Sequence, residues 1–195
     1  MDDEQLRIGV EAAYEAARQQ VIIVGSQAIL GTYSAVVLPE KLTLSGEMDA
    51  TPRLQFDGAS RDDVSAAVER INNALGEDSP FSNEHGFWVE GVYGDTIILP
   101  GGWQNRLKAY SITEMGGARV VAGWCLSPLD VCVAKVLAGR PHDNDYVIEL
   151  VKSGLVDVDE VLSLVRGPID WGSHGCDQRR IDSALELIEF VRKSL

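Results

Sequence analysis

Two pieces of the stretch from residue 21 to residue 50 decide the fold: Val21-Ile22-Ile23-Val24-Gly25-Ser26 and Leu44-Ser45-Gly46-Glu47-Met48-Asp49-Ala50. The first piece opens with four apolar, mostly β-branched residues, a run typical of a buried strand. The Gly25-Ser26 step then predicts a turn into a helix. Because glycine lets the backbone approach a ligand and free N–H groups lie beside the hydroxyl, this step suits a phosphate. The alternative is an ordinary tight turn.

The second piece predicts a strand that ends with two carboxylates on one face. Leu42 and Leu44 alternate with polar residues and are expected to point inward. Glu47 and Asp49 share a side because side chains repeat every two residues along a strand. Neighbouring carboxylates repel each other unless a cation lies between them, and Mg²⁺ is a hard cation that prefers oxygen ligands. The alternative is a solvated acidic pair on an exposed strand.

The composition limits the class of protein. A chain of 195 residues with 45% hydrophobic residues is expected to form one soluble domain, or one with a small appendage. No apolar run reaches membrane-spanning length, and the acidic start is unlike a signal peptide, so we expect a cytoplasmic protein without membrane association. A net charge of −13 argues against a protein that coats nucleic acid but is compatible with a small anionic ligand in a local positive pocket. The three cysteines and three histidines show neither disulfide nor zinc spacing.

The hydrophobic periodicity predicts a mixed α/β body followed by helices, which is an α+β fold with a mixed sheet. We expect a core over residues 1–125 and a helical region over residues 126–195 packed on it. The expected strands and strand pairs of the core include a short strand at 53–57, a hairpin of 87–93 with 96–99 across Gly94-Asp95, and strands at 108–112 and 119–125. The expected helices are 5–20, 27–30, 60–75, 127–138, 143–153, 157–166 and 177–194.

Further candidate residues extend the site. A third acid is expected on a neighbouring strand, with Glu90 as the candidate and Asp95 as the second choice. Lys135 lies among apolar residues of a helix, where an ammonium needs a partner, and the default interpretation is a surface lysine whose stem packs on apolar neighbours. Arg140 and Arg106 are candidates for phosphate binding, and Asp143 and Asp145 are candidates for supporting acids. The alternative for Arg140 and Asp143 is a pair that only braces the turn between two helices.

Several motifs together resemble the minimal nucleotidyltransferase-fold proteins related to the AbiEii toxin component of abortive-infection toxin–antitoxin systems. The resemblance spans most of residues 5 to 150, and its most specific block is 126–145. The motifs are residues 21–28, Glu47-Met48-Asp49, residues 99–107, residues 126–130, Lys135, Gly139-Arg140, Asp143 and Asp145.

The resemblance implies a polymerase-β-like core with assigned roles for several residues. Gly25 and Ser26 would lie at the nucleotide phosphates, Glu47 and Asp49 would bind magnesium, and Lys135 would lie near the triphosphate. For active relatives it implies transfer of a nucleotide from an NTP to an acceptor, in some cases the 3′ end of tRNA, with a cognate antitoxin as protein partner.

Two positions depart from the pattern of that family. Glu47 stands where an aspartate is usual, so the carboxylate is one methylene longer. His142 stands where a lysine is usual, which exchanges a fixed charge for a titratable one. The leading hypothesis is a Mg²⁺-dependent nucleotidyltransferase; the alternative is a catalytically inactive nucleotidyltransferase fold that binds nucleotides or another protein.

Overall fold

The computed structural model describes residues 1–113 and 116–195. In chain order its regular elements are α1 (Asp3–Ala17), β1 (Val21–Ile23), β2 (Glu47–Pro52), α2 (Arg61–Leu75), α3 (Pro80–His85), β3 (Trp88–Gly91), β4 (Leu99–Pro100), β5 (Lys108–Thr113), β6 (Arg119–Cys125), α4 (Pro128–Ala138), α5 (Pro141–Lys152), α6 (Val158–Arg166), β7 (Ile169–Asp170) and α7 (Gln178–Lys193). This architecture confirms the predicted α+β class with C-terminal helices. The predicted division at residue 125 stays a prediction.

The five longer strands form one mixed sheet in the order β3-β2-β1-β6-β5. The central strand β1 is antiparallel to β2 and parallel to β6, while β3 runs parallel to β2. The end of β1 and the start of β2 therefore meet at one edge of the sheet, where the Val24 amide donates to the Asp49 carbonyl over 2.9 Å. The end of β6 reaches the same edge, since the Leu126 amide donates to the Ile23 carbonyl.

Helices cover this sheet and close its edge. Helices α1 and α2 pack against each other and against the strands, and α4 packs against α5, α6 and α7. The predicted start of α4 is confirmed: the Ser127 side chain accepts from the Asp130 amide, Pro128 occupies the first turn, and Gly139 ends the helix at a φ of 68°. Among the described residues, no helix is both long and apolar enough to cross a membrane.

The predicted hairpin of 87–93 with 96–99 is wrong. β3 pairs in parallel with β2, and Leu99–Pro100 pairs instead with Ile169–Asp170, far along the chain. The glycine and aspartate between them form a short 3₁₀ turn at Gly94–Thr96, whose first amide donates to the Gln55 side chain over 2.8 Å. The chain does turn at Gly94 and Asp95, but residues 99–100 pair with a strand far along the chain instead of with β3.

Three further local predictions differ from the structure. Residues 53–57 form a 3₁₀ helix rather than a strand. Leu44 is 69% exposed instead of inward, because β2 begins only at Glu47 and Leu42 belongs to a separate 3₁₀ turn. The sequence analysis also missed α3, although a capping serine at position 79 and Pro80 in the first turn are typical of a helix start.

Arg106 and Asp130 form an ion pair that ties the residues before β5 to the first turn of α4. The Arg106 Nη2 and the Asp130 Oδ1 are 2.6 Å apart, and the Asp130 side chain is fully buried. The Ser127 hydroxyl donates to the other oxygen of Asp130 over 2.5 Å. Because a buried carboxylate without its cation is strongly unfavourable, this pair matters for stability.

We expect Arg106→Ala to lower the free energy of unfolding by about 3 kcal/mol, since it leaves the Asp130 carboxylate buried without its cation. The measurement is urea unfolding followed by circular dichroism. The matched control is Arg7→Ala, which removes exposed pairs to Glu4 and Glu11 on α1 and should cost less than about 1 kcal/mol. Equal losses in the two variants would contradict the prediction.

Candidate active site

A cavity of about 790 Å³ lies at the sheet edge where β1 ends and β2 begins. Polar and charged side chains from three parts of the chain line it together with the Gly25 backbone. The sheet edge contributes Gly25, Ser26, Ser45, Glu47, Asp49 and Glu90; α4 and the start of α5 contribute Lys135, Arg140 and His142; the C-terminal part contributes His174 and Arg180. Much of the rest is apolar and includes Val92, Ile97, Ile98, Leu126 and Val131.

Three carboxylates form the acidic side of the cavity. Glu47, Asp49 and Glu90 each offer an oxygen, and these oxygens all lie within 4.8 Å of one another. Strand geometry explains the cluster, because Glu47 and Asp49 lie two residues apart on β2 and Asp49 is in register with Glu90 on β3. The expectation that Glu47 and Asp49 share a face, and that the third acid comes from a neighbouring strand, matches this geometry.

Burial and the neighbouring carboxylates raise the pKa values of Glu47 and Asp49. A hydrogen bond with Glu90, burial and the charge of Asp49 raise the pKa of Glu47 to about 8. Burial and the charge of Glu90 raise the pKa of Asp49 to about 6, although Lys135 and Arg140 act in the opposite direction. Without a cation, part of the cluster is therefore protonated near neutral pH.

The acidic cluster fits a hard divalent cation. Ligand oxygens on one octahedral ion lie up to roughly 4.2 Å apart, so small side-chain rotations would bring the three groups onto a common ion. A bound cation would also replace the protons that the cluster otherwise retains. Glu47, Asp49 and Glu90 are thus the residues that could hold a metal here.

Gly25 lies directly against this cluster. Its φ of 65° and ψ of −163° fall in a region that is essentially restricted to glycine. A Cβ atom added to it would stand 2.1 Å from the Asp49 Oδ2, well inside van der Waals contact. The glycine is therefore required both by its backbone conformation and by the approach of the carboxylate, and Ser26 then begins the predicted short helix, observed as a 3₁₀ helix to Gly31.

Lys135 occupies the opposite side of the cavity, and its interpretation as a surface lysine is wrong. The residue is 8% exposed, and its Nζ donates to the Asp143 Oδ1 over 2.7 Å while it lies 4.6 Å from the centre of the Tyr146 ring. The Tyr146 hydroxyl in turn donates to the Ser26 carbonyl over 2.7 Å. The lysine and the Gly-Ser turn are thus fixed to the same helix, α5.

Asp143 connects the two cations at this end of α4. It is fully buried and also accepts from the Arg140 Nε over 2.5 Å. Burial by itself would raise the pKa of Asp143, but hydrogen bonds from Lys135 and Arg140 outweigh it and hold the pKa below its usual value. The expected bracing role of Arg140 and Asp143 is present, and Arg140 also lines the cavity.

Three of the sequence candidates lie elsewhere. Arg106 pairs with Asp130, as described above, and is not among the cavity-lining residues. Asp95, the second choice for the third acid, lies 3.4 Å from the Arg61 guanidinium. Asp145 is exposed on α5. None of these positions supports a direct role in the cavity.

The sequence analysis missed two cavity residues, His174 and Arg180. Both belong to the C-terminal part, more than 80 residues from Glu90 in the chain. The capping residue Asp177 marks the start of α7 and so places Arg180 in its first turn. No local signal, however, indicates that this turn faces the cavity.

Gly25→Ala tests the steric requirement at the cluster. We expect it to destabilise the protein by about 3 kcal/mol or more, because a Gly-only backbone conformation alone costs of order 1–3 kcal/mol and the methyl group also meets Asp49. The measurement is chemical unfolding. The control is Gly86→Ala, where φ is 71° but open space surrounds the position, so a loss of about 1 kcal/mol is expected. Equal losses would show that the contact with Asp49 is unimportant.

Acidic pH should stabilise the cation-free protein. Because the pKa values of Glu47 and Asp49 are raised to about 8 and about 6, the folded state binds more protons than the unfolded state between about pH 4 and pH 8. Stability therefore decreases as pH rises through this window. We expect the melting temperature in EDTA to fall with rising pH, and to fall less in Glu47→Gln.

The control for this pH dependence is Glu84→Gln, an exposed glutamate on α3. Its melting temperature should follow the same pH profile as the unmodified protein. An unchanged slope in Glu47→Gln would contradict the assignment of the raised pKa to this carboxyl.

Comparison with known proteins gives a family for the chain. No curated protein and no solved structure matches the chain significantly. A family match covers residues 5–185, which include the acidic cluster, the Gly-Ser turn, Lys135 and Arg180. On this match the chain belongs to the family described as nucleotidyltransferase of unknown function (DUF6036).

Proposed function

We propose that this protein transfers a nucleotide from an NTP to an acceptor hydroxyl, with Mg²⁺ at Glu47, Asp49 and Glu90. The observation that carries the proposal is the meeting of three carboxylates, the Gly25-Ser26 turn and Lys135 in one cavity of a chain from a nucleotidyltransferase family. A cavity of about 790 Å³ is large enough for a nucleotide. Its apolar part offers a surface for the base and the polar part offers ligands for the phosphates.

Each group has a distinct task in this reaction. The acceptor oxygen attacks the α-phosphorus, the bond from that phosphorus to the bridging oxygen breaks, and pyrophosphate leaves. A bound cation would supply charge neutralisation and a lowered pKa for the attacking hydroxyl. Ser26 and the adjacent backbone would orient the phosphates, and Lys135 and Arg140 would stabilise the charge that develops on the leaving pyrophosphate.

Lys135 is well suited to this task because it is already fixed. Its contacts with Asp143 and Tyr146 hold the ammonium before any substrate arrives. A preorganised cation in a partly dry site acts more strongly on a developing negative charge than a mobile one in water. Removing it should therefore reduce turnover more than nucleotide binding.

The acceptor we propose is the 3′ end of an RNA, with tRNA as the first candidate, and the biological context we propose is a toxin paired with a cognate antitoxin. The motifs that resemble AbiEii-related proteins support this extension. From the same resemblance we also propose that the core is polymerase-β-like. A chain of net charge −13 offers few cations for a broad RNA surface, so we expect contacts restricted to the acceptor end. The buried free thiols of Cys125 and Cys132 favour a reducing, cytoplasmic location.

A second candidate function is a catalytically inactive fold that binds nucleotides or a protein partner. The hydrogen bond between a protonated Glu47 and Glu90 favours it, because it allows the acidic cluster to persist without a metal. This candidate predicts nucleotide binding without transfer, or no dependence of binding on Mg²⁺.

The first test is a thermal-shift series with each of the four NTPs, with and without Mg²⁺. A ligand at a hundredfold excess over its Kd stabilises a protein by about 2.7 kcal/mol, which corresponds to a shift of roughly 5 °C or more for a chain of this size. We expect one NTP to produce such a shift only with Mg²⁺, and Asp49→Asn to abolish it. The control Asp78→Asn changes an exposed aspartate outside the cavity and should retain the shift.

Transfer is then measured with α-labelled NTP and a tRNA pool. We expect label on the RNA 3′ end and a loss of at least about 100-fold in rate for Glu47→Gln and Asp49→Asn. A Mg²⁺-dependent shift without label on any acceptor would favour the inactive fold. No shift with any NTP would contradict both the enzyme and the nucleotide-binding functions.

A further inference from the structure

Hydrogen bonds hold the segment from residue 171 to residue 180 at the rim of the cavity. This segment connects β7 to the first turn of α7. The Ser173 amide and hydroxyl both donate to the Asp95 carbonyl, over 2.6 and 2.8 Å, and the His174 Nε2 lies 2.9 Å from the Thr96 carbonyl. Gly172 packs so closely that an added Cβ would stand 2.2 Å from the Asp95 carbonyl oxygen. The segment therefore has a defined place beside residues 95 and 96.

At the other end of this segment, Arg180 lies against the cavity wall formed by the end of α4. Its Nη1 lies 3.5 Å from the carbonyl of Leu137, which is two residues after Lys135 and immediately before Ala138, a lining residue. Arg180 therefore joins Lys135 and Arg140 among the cations that line the cavity.

The charge of Arg180 is also the least neutralised of these three. The buried Asp143 carboxylate pairs with both Lys135 and Arg140, at 2.7 and 2.5 Å. Within the described residues, the carboxylate close to Arg180 is that of Asp177, at 3.9 Å and 45% exposed, which makes a loose and solvent-screened pair. An anion in the cavity would therefore find the most available positive charge at Arg180.

We propose that Arg180 binds the β- and γ-phosphates of the nucleotide, so that the C-terminal segment forms part of the nucleotide site. This inference rests on the proposed function, in which the acidic cluster holds the α-phosphate side and the cations that line the cavity receive the leaving pyrophosphate. A planar guanidinium suits two phosphate oxygens at once. Acceptor RNA as the ligand of Arg180 is the competing assignment.

The experiment compares Arg180→Gln with Arg179→Gln, its exposed neighbour on α7, which does not line the cavity. The probes are inorganic tripolyphosphate, the NTP that gives the thermal shift, and the corresponding NMP, each with Mg²⁺ and measured by calorimetry. We expect Arg180→Gln to weaken tripolyphosphate and NTP at least tenfold and NMP less than threefold. Arg180→Lys should restore part of the loss, and Arg179→Gln should match the unmodified protein.

The outcomes separate this inference from the proposed function. Unchanged NTP affinity in Arg180→Gln with a raised KM for the RNA acceptor overturns the inference and leaves nucleotide transfer intact. Tripolyphosphate binding that depends on Arg180 but not on Asp49 supports the inference even if no nucleotide is transferred. Equal losses of tripolyphosphate affinity in Arg179→Gln and Arg180→Gln would also count against a phosphate contact. So would Arg180→Lys if it lost binding and also had a lower melting temperature.

Discussion

Electrostatic repulsion among Glu47, Asp49 and Glu90 is the constraint around which the cavity is built. Their oxygens lie within 4.8 Å of one another, and without a cation the protons that Glu47 and Asp49 retain relieve part of this repulsion. Strand register places the three residues side by side, because Glu47 and Asp49 lie two residues apart on β2 and Asp49 is in register with Glu90 on β3. The three carboxylates are therefore already close together in the folded chain.

A different principle applies to Lys135 and Arg140, which share one buried partner, Asp143. Lys135 reaches Asp143 and lies over Tyr146, and the tyrosine hydroxyl holds the carbonyl of Ser26. One helix therefore positions both the ammonium and the turn that follows β1. The cavity is therefore lined by both carboxylates and cations, as the proposed binding of Mg²⁺ and a nucleotide requires.

Local sequence rules were sufficient wherever the determining interaction is itself local. The capping serine and the proline at residues 127 and 128 placed α4 correctly, and the period of two in β2 placed Glu47 and Asp49 on one face. Lys135 was misjudged because its partner, Asp143, belongs to the next helix, although the apolar neighbours already indicated that the ammonium would need one. The sequence does not indicate that Arg180 rather than Arg106 lines the cavity. Long-range packing alone decides that Arg106 pairs with Asp130 and that Arg180 reaches the cavity.

The contact between Gly25 and Asp49 has a consequence for reading related sequences. Since a side chain at position 25 would overlap the Asp49 carboxylate, the two positions cannot vary independently. A related chain with a larger residue in place of this glycine has to turn the carboxylate away, shorten or lose it, or displace the strand that carries it. The glycine is thus a marker, readable from sequence alone, of chains in which the carboxylate at position 49 keeps this orientation.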